Sequence, residues 1–161
     1  MFEPVSYKGN LQEKYELLLK QAEALLADES DQVANLSNVA ALLNQFLDRT
    51  NWVGFYIYKE GELVLGPFQG LPACIRIPLG KGVCGTAAET RETQVVEDVH
   101  QFPGHIACDA QSESEVVVPI VVNDQLFGVL DIDSPEKGRF SQEEGALLET
   151  FVNGIKPYIQ G

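Results

Sequence analysis

Apolar residues recur at three- and four-residue steps over residues 10–27. There Leu11, Tyr15, Leu18, Leu19, Ala22 and Leu25 would share one face of an amphipathic helix. After the polar break Asp28-Glu29-Ser30-Asp31 the period resumes in Val33, Leu36, Val39, Leu43, Phe46 and Leu47, predicting a second helix that ends near Arg49-Thr50-Asn51. The period then changes. Trp52-Val53-Gly54-Phe55-Tyr56-Ile57-Tyr58 is aromatic and β-branched and reads as a strand, Lys59-Glu60-Gly61-Glu62 as a turn, and Leu63 to Phe68 as the returning arm of a hairpin. Cys74-Ile75-Arg76-Ile77-Pro78 predicts a short strand, the glycine-rich run from Gly80 leads into a short helix reaching Thr90, and Gln94-Val95-Val96-Glu97 predicts a brief strand. Residues 98–114 lack any period, and a segment of that length without elements is usually functional or mobile. Two strong strands follow, Glu115 to Val122 and Gln125 to Asp133, joined by Asn123-Asp124 as a tight hairpin without the usual glycine. Ser141-Gln142-Glu143-Glu144 resembles a capping box opening a last helix that runs towards Pro157.

The resulting order, α-α-β-β-β-α-β-loop-β-β-α, places helices at both ends of an antiparallel sheet, an α+β architecture. With 161 residues and neither repeats nor a linker, the chain is expected to form one domain spanning 1–161. Hydrophobic residues at 45% and charged ones at 22% match globular averages and exclude disorder. Charge narrows the partners further. Twenty-four acidic residues face 11 basic ones, and the formal net charge of −13 repels phosphate backbones and anionic membranes, so neither nucleic acid nor membrane is expected as a partner. No apolar run approaches the ~18 residues of a membrane span, and Met1-Phe2-Glu3-Pro4 lacks a signal-peptide pattern, so a cytoplasmic location is expected.

Three cysteines, Cys74, Cys84 and Cys108, are an odd count in a reducing compartment, which disfavours a structural disulfide framework. Inert core thiols, metal ligation and redox chemistry remain open. Metal is disfavoured because no cysteines come in tight pairs, although His100 and His105 lie near Cys108. Redox chemistry is favoured by Cys108 itself, a thiol in the aperiodic segment beside an imidazole that could lower its pKa, opposed by the charge of Asp109. The other two cysteines could then reduce a sulfenic acid by disulfide formation. Gly80-Lys81-Gly82-Val83-Cys84-Gly85-Thr86 fails the phosphate-loop spacing and reads better as a turn packing a helix tightly on the sheet.

Strand alternation puts Asp131 and Asp133 on one face, and a hairpin about Asn123-Asp124 brings Glu115 opposite them. Three crowded carboxyls should raise at least one pKa towards neutrality, which makes a proton donor, or they could hold an ammonium group or a metal. Trp52 and Tyr56 share a strand face and suit either a pocket for a small sulfur-bearing group or plain core packing.

These residues carry a resemblance. The marks are Asn51 to Tyr56, Gly66-Pro67-Phe68-Gln69-Gly70, Ala73 to Ile77, Gly80 to Gly85, Phe102-Pro103-Gly104-His105-Ile106-Ala107-Cys108-Asp109, Ser112 to Pro119, and Gly128 to Ser134. Over roughly residues 10–160 the chain resembles the free methionine-(R)-sulfoxide reductases, stand-alone GAF-domain enzymes. The resemblance implies a GAF-like fold with terminal helices on one sheet face and a loop-covered pocket on the other. It implies that Cys108 attacks the sulfoxide sulfur and that Cys74 resolves the sulfenic acid, with Cys84 a second or alternative partner. Glu115, Asp131 and Asp133 would bind the substrate ammonium and protonate the sulfoxide oxygen, while Trp52 and Tyr56 shape the pocket. It further implies thioredoxin as external reductant, no bound cofactor or metal, and homodimerisation of the kind common among GAF domains. A GAF sensor that binds a small ligand without catalysis, or one that senses redox state, is the opposing reading, and a pure interaction domain is a third.

Overall fold

The computed structural model describes residues 2–105, 108 and 110–160. Four helices, α1 (Leu11–Leu26), α2 (Gln32–Phe46), α3 (Gly82–Thr90) and α4 (Gln142–Ile159), accompany six strands. The strands are β1 (Trp52–Lys59), β2 (Glu62–Gly70), β3 (Arg76–Pro78), β4 (Gln94–Val96), β5 (Ser114–Val122) and β6 (Gln125–Ser134). They form one sheet in the order β3-β2-β1-β6-β5-β4, and each neighbouring pair is antiparallel.

Alternation along the central strands sorts the side chains into two layers. Val53 and Phe55 of β1, Val116, Val118 and Ile120 of β5, and Leu130 and Ile132 of β6 turn to one face and pack under α1, α2 and α4. Trp52, Tyr56, Val117 and Val129 turn to the other, where α3 and the loops cover them. The expected α+β arrangement, terminal helices on one face and a covered pocket on the other, is therefore the observed one.

Local chemistry explains the joints. Asn10 caps α1 by accepting from Glu13 N at 2.8 Å while the Glu13 carboxylate returns to Asn10 N, which satisfies two otherwise orphaned amides. Asn123 and Asp124 both take positive φ, 51° and 62°, the geometry of a two-residue hairpin that asparagine and aspartate tolerate without glycine. At Gly54 a Cβ would lie 2.3 Å from Phe68 Cβ, so only glycine lets β2 bulge against β1 there. The glycine-rich run behaves as a packing turn: a Cβ on Gly85 would meet the Pro78 carbonyl at 2.5 Å, so its absence seats α3 directly on β3.

Three boundaries differ from the sequence reading. Cys74 lies in the loop before β3 rather than on the strand, although Ile75 O still accepts from Leu65 N at 2.8 Å. The helix α4 continues through Pro157 to Ile159. At its start Ser141 caps the Glu144 amide at 3.0 Å, but Glu144 does not complete the capping box. Its carboxylate accepts from Tyr15 Oη at 2.6 Å and from Arg139 Nη1 at 2.9 Å, and these partners tie α4 to α1 and to the β6–α4 loop.

Candidate active site

The β5–β6 register puts Glu115 directly across from Asp133, and Asp131 follows two residues away on the same face. All three carboxyls are buried, at 5–8% exposure. They line a cavity of about 30 Å³, together with Tyr56, the α3 N-terminus at Lys81 to Cys84, His105, Cys108 and Ser112. That volume gives room for a water molecule or two.

Burial is the first cause of the unusual protonation here. It pushes Glu115 up to about 8, with the Asp133 charge the next contribution. Asp131 rises well above the ordinary carboxyl range for the same reasons in the same order, with Glu115 adding to it. The Cys84 thiol is raised by burial and then by Asp131 and Glu115, and it donates to Glu115 Oε2 at 3.7 Å. A thiol held protonated in this way is a poor nucleophile. The site thus offers buried acids near neutral pH and a latent negative charge.

Cys74 and Cys108 form a disulfide, with Cα atoms 5.1 Å apart, and Cys84 is free and buried. Cys108 lines the cavity, whereas Cys74 stands outside the lining, in the loop between β2 and β3. That loop is held from beneath by the two strand aromatics. Trp52 Nε1 donates to Leu71 O at 3.1 Å, and Tyr56 Oη donates to Cys74 O at 2.9 Å. Burial, with Asp131 next, raises the Tyr56 phenol above its usual range, so it stays a donor. Trp52 stacks between Phe68, 5.0 Å away, and Tyr56, 5.8 Å away. Its ring is not among the cavity-lining groups, whereas Tyr56 is. Both aromatics therefore anchor the Cys74 loop, while Tyr56 also walls the cavity and the expected pocket role does not extend to the Trp52 ring, which backs Tyr56 instead.

The histidines divide. His100 pairs with Glu113 at the surface. His105 lines the cavity, and burial and then the nearby His100 lower its pKa, which favours the neutral imidazole. Asp109, expected to oppose thiol activation at Cys108, lies outside the described residues, as do Ile106 and Ala107. In the disulfide form Cys108 is bonded to Cys74 and is not available as a ligand beside His100 and His105. Among the described residues, the donor atoms that approach within 4.8 Å of one another and could share a cation are those of Cys84, Glu115 and Asp131. Burial raises all three groups, which disfavours the ionised forms a metal ion would need.

Two groups of polar contacts escaped the sequence reading. Ser112 Oγ donates to Asp133 Oδ2 at 2.8 Å and accepts from Asn51 Nδ2 at 3.2 Å. Their sequence signal is slight: each sits just before a strand of the central sheet. The second group is the N-terminus of α3, where Lys81 provides no side-chain cap and Gly82, Val83 and Cys84 line the cavity. A helix start of this kind presents amide donors to an anion. A cavity with amide donors from one element and carboxyls from another suits a small zwitterion with a reactive centre near Cys108.

Comparison with known proteins identifies the family. The GAF domain family model matches residues 31–160. The chain is 53% identical over 143 residues to free methionine-R-sulfoxide reductase of Escherichia coli, a match covering 89% of this chain and 87% of that one. Among solved structures, free methionine-R-sulfoxide reductase from Neisseria meningitidis in complex with its substrate superposes with a TM-score of 0.93 at 40% identity, covering 99% of this chain and 96% of that one. A substrate complex of fRMsr from Staphylococcus aureus superposes with a TM-score of 0.86 at 53% identity, covering 97% and 100%. Among the described residues no helix is long and apolar enough to cross a membrane.

Proposed function

Because the chain belongs to the GAF-domain family of free methionine-R-sulfoxide reductases, we propose that it reduces free L-methionine-(R)-sulfoxide, with one GAF domain supplying every catalytic group. The observation that carries this reading is the Cys74–Cys108 disulfide beside a cavity lined by Glu115, Asp131 and Asp133.

In the first step Cys108 sulfur attacks the sulfoxide sulfur as Glu115 protonates the sulfoxide oxygen. Oxygen passes to Cys108, which leaves as the sulfenic acid, and methionine is released with its sulfur reduced by two electrons. Cys74 then attacks the sulfenic sulfur, expelling water and closing the disulfide. An external dithiol of the thioredoxin type returns two electrons and two protons to restore both thiols. No bound cofactor enters these steps.

Glu115, at about 8, carries its proton at neutral pH and so meets the requirement for a general acid. Asp133 and Asp131 face the substrate ammonium, and the amide groups opening α3 face its carboxylate. A methionine inside a peptide has neither charge, so the free amino acid is selected. Tyr56 and the Trp52 stack behind it border the methyl and sulfur. Cys84 is buried, its thiol is held towards the protonated form and donates to Glu115, so the attack is left to Cys108.

The test is NADPH consumption with thioredoxin and its reductase, offering free methionine-R-sulfoxide, the S form and an N-acetylated, amidated analogue. Turnover of the free R form alone is expected. Cys108→Ser should abolish reduction, and Cys74→Ser should keep one stoichiometric turnover but lose cycling. No turnover of any substrate, with all three thiols titratable in reduced protein, would leave a ligand sensor as the better reading.

A further inference from the structure

Three carboxyls that share one buried pocket do not ionise together, so something must decide which of them carries the charge. Six ionisable groups line the cavity around Asp133: Glu115 from β5, Asp131 from β6, Cys84 and Lys81 from the start of α3, Tyr56 from β1, and His105 from the loop. Ser112, 4% exposed, belongs to none of these titrating groups, yet its hydroxyl reaches Asp133 at 2.8 Å.

Ser112 Oγ is engaged on both sides. It accepts from the Asn51 side-chain amide at 3.2 Å and directs its one proton to Asp133 Oδ2. The backbone holds the same corner together: Asn51 N donates to Asp133 O at 3.0 Å, and the residues next in sequence to Ser112 and Asp133 pair as well, Glu113 N donating to Ser134 O at 2.7 Å. Glu115, by contrast, is contacted at 3.7 Å by a thiol, a weak donor, and by Asp131, which can donate only while it keeps its own proton.

We propose that Ser112 is a positioning residue that makes Asp133 the ionised member of the cluster, and so assigns ammonium selection to Asp133 and leaves the proton on Glu115. The proposal rests on the reductase reading of the same site for its substrate half. A donated hydrogen bond favours a carboxylate over its acid. The Asp133 charge then acts across the strand pair on Glu115 and along β6 on Asp131, in the direction already noted for both. One neutral hydroxyl thereby separates a binding carboxylate from a proton donor.

Carboxyl 13C NMR of the full-length, disulfide-linked protein across pH 4–9 tests the ionisation order without turnover, with Asp133→Asn identifying its resonance. Asp133 should titrate before Glu115. In Ser112→Ala its transition should move to higher pH and that of Glu115 to lower pH, while Ser112→Thr, which restores the hydroxyl, should restore the order. Asn51→Leu, which leaves Ser112 in place without its donor, should shift both transitions in the alanine direction and serves if the alanine variant does not fold. An unchanged Asp133 transition, or Glu115 titrating first in the wild type, overturns the proposal.

The second arm compares kcat/KM for free methionine-R-sulfoxide with that for its desamino analogue, 4-(methylsulfinyl)butanoate. Ser112→Ala should lower the first by about tenfold or more, the scale of a hydrogen bond to a charged group, and lower the second by clearly less, since the desamino analogue loses only the share carried by the Glu115 proton. An equal loss on both substrates marks Ser112 as structural and overturns the proposal. If the wild type reduces neither compound, the reductase reading fails and takes the substrate half with it, while the NMR arm still decides the ionisation order.

Discussion

The phenolic hydroxyl of Tyr56 donates to the backbone carbonyl of Cys74 at 2.9 Å, so a residue of the central strand holds the loop that carries one half of the disulfide. Trp52 makes the companion contact to Leu71 O. In the proposed cycle the Cys74 loop must deliver its thiol to a sulfenic acid, and a loop with two fixed points loses less freedom in doing so. Tyr56→Phe keeps the ring and its stacking but removes the tether. Release of methionine in a single turnover should be unchanged. Disulfide closure should slow several-fold, as expected for one neutral hydrogen bond of about 1 kcal/mol. Trapping the sulfenic acid with dimedone at timed intervals measures this directly: the adduct should accumulate in the variant and not in the wild type. Equal trapping in both would show that the tether does not guide the resolving thiol.

The cavity beside the disulfide, about 30 Å³, is too small for methionine sulfoxide. Because Cys108 is part of its lining, opening the disulfide is the step that can widen it for substrate. Free methionine sulfoxide should therefore bind the reduced Cys108→Ser protein and fail to bind the wild-type disulfide form. Trp52, the one tryptophan in the chain, lies in the aromatic stack next to Tyr56 of the cavity wall, so its fluorescence offers the readout. Comparable affinity for both forms would mean that the disulfide does not control access.

Arg139 has a side chain only 7% exposed, and it bridges distant parts of the chain. It donates to Glu144 at 2.9 Å, to the Asp48 carboxylate at 3.1 Å and to the Asp48 carbonyl at 3.0 Å, while its guanidinium lies 5.0 Å from the Phe140 ring centroid. Glu144→Ala would leave a buried guanidinium with an exposed Asp48 and would also strip the Tyr15 hydroxyl of its acceptor. The expected cost is about 3–5 kcal/mol, the scale of breaking a buried ion pair from one side. Urea denaturation measures it. A loss under about 1 kcal/mol would place the pair with surface salt bridges.

Much of this site was legible because strand geometry is rigid. A hairpin centred on Asn123-Asp124 brings Glu115 to the Asp131–Asp133 end of β6 and alternation keeps those two aspartates on one face, but the bulge between Ile120 and Val121, which no period announces, is what sets Glu115 directly across from Asp133. The two sheet faces were equally readable from Trp52 and Tyr56 against Val53 and Phe55. What failed to show was set by tertiary contact. Glu144 looks like the fourth residue of a capping box until Arg139 and Tyr15 arrive to take its carboxylate. Cys74 has strand-like neighbours, yet Tyr56 holds it in a loop. Ser112 sits in the aperiodic stretch, where no period reports which side chain turns inward, and its partners are 61 and 21 residues away.

Glu115 links stability to pH in an unusual sense for a carboxylate. Its ordinary value near 4.5 is pushed up to about 8 in the folded protein, first by burial and then by Asp133. Between those two values the folded state keeps a proton that the unfolded chain has released. The contribution to stability is thus fully present below about 4.5 and is lost progressively as pH rises to about 8. Glu115→Gln removes that titration. Its melting temperature relative to wild type should therefore rise steadily from pH 5 to pH 8, by about 2–4 °C for each kcal/mol recovered. Activity should move the other way. The wild-type rate should fall as pH passes about 8 and Glu115 loses its proton, and the glutamine variant, with no acid to lose, should be slow and lack that limb. Thermal melts and pH–rate profiles on the same two proteins decide the matter. A variant that is no more stable at pH 8 than at pH 5, relative to wild type, would show that Glu115 ionises normally and that another group protonates the sulfoxide.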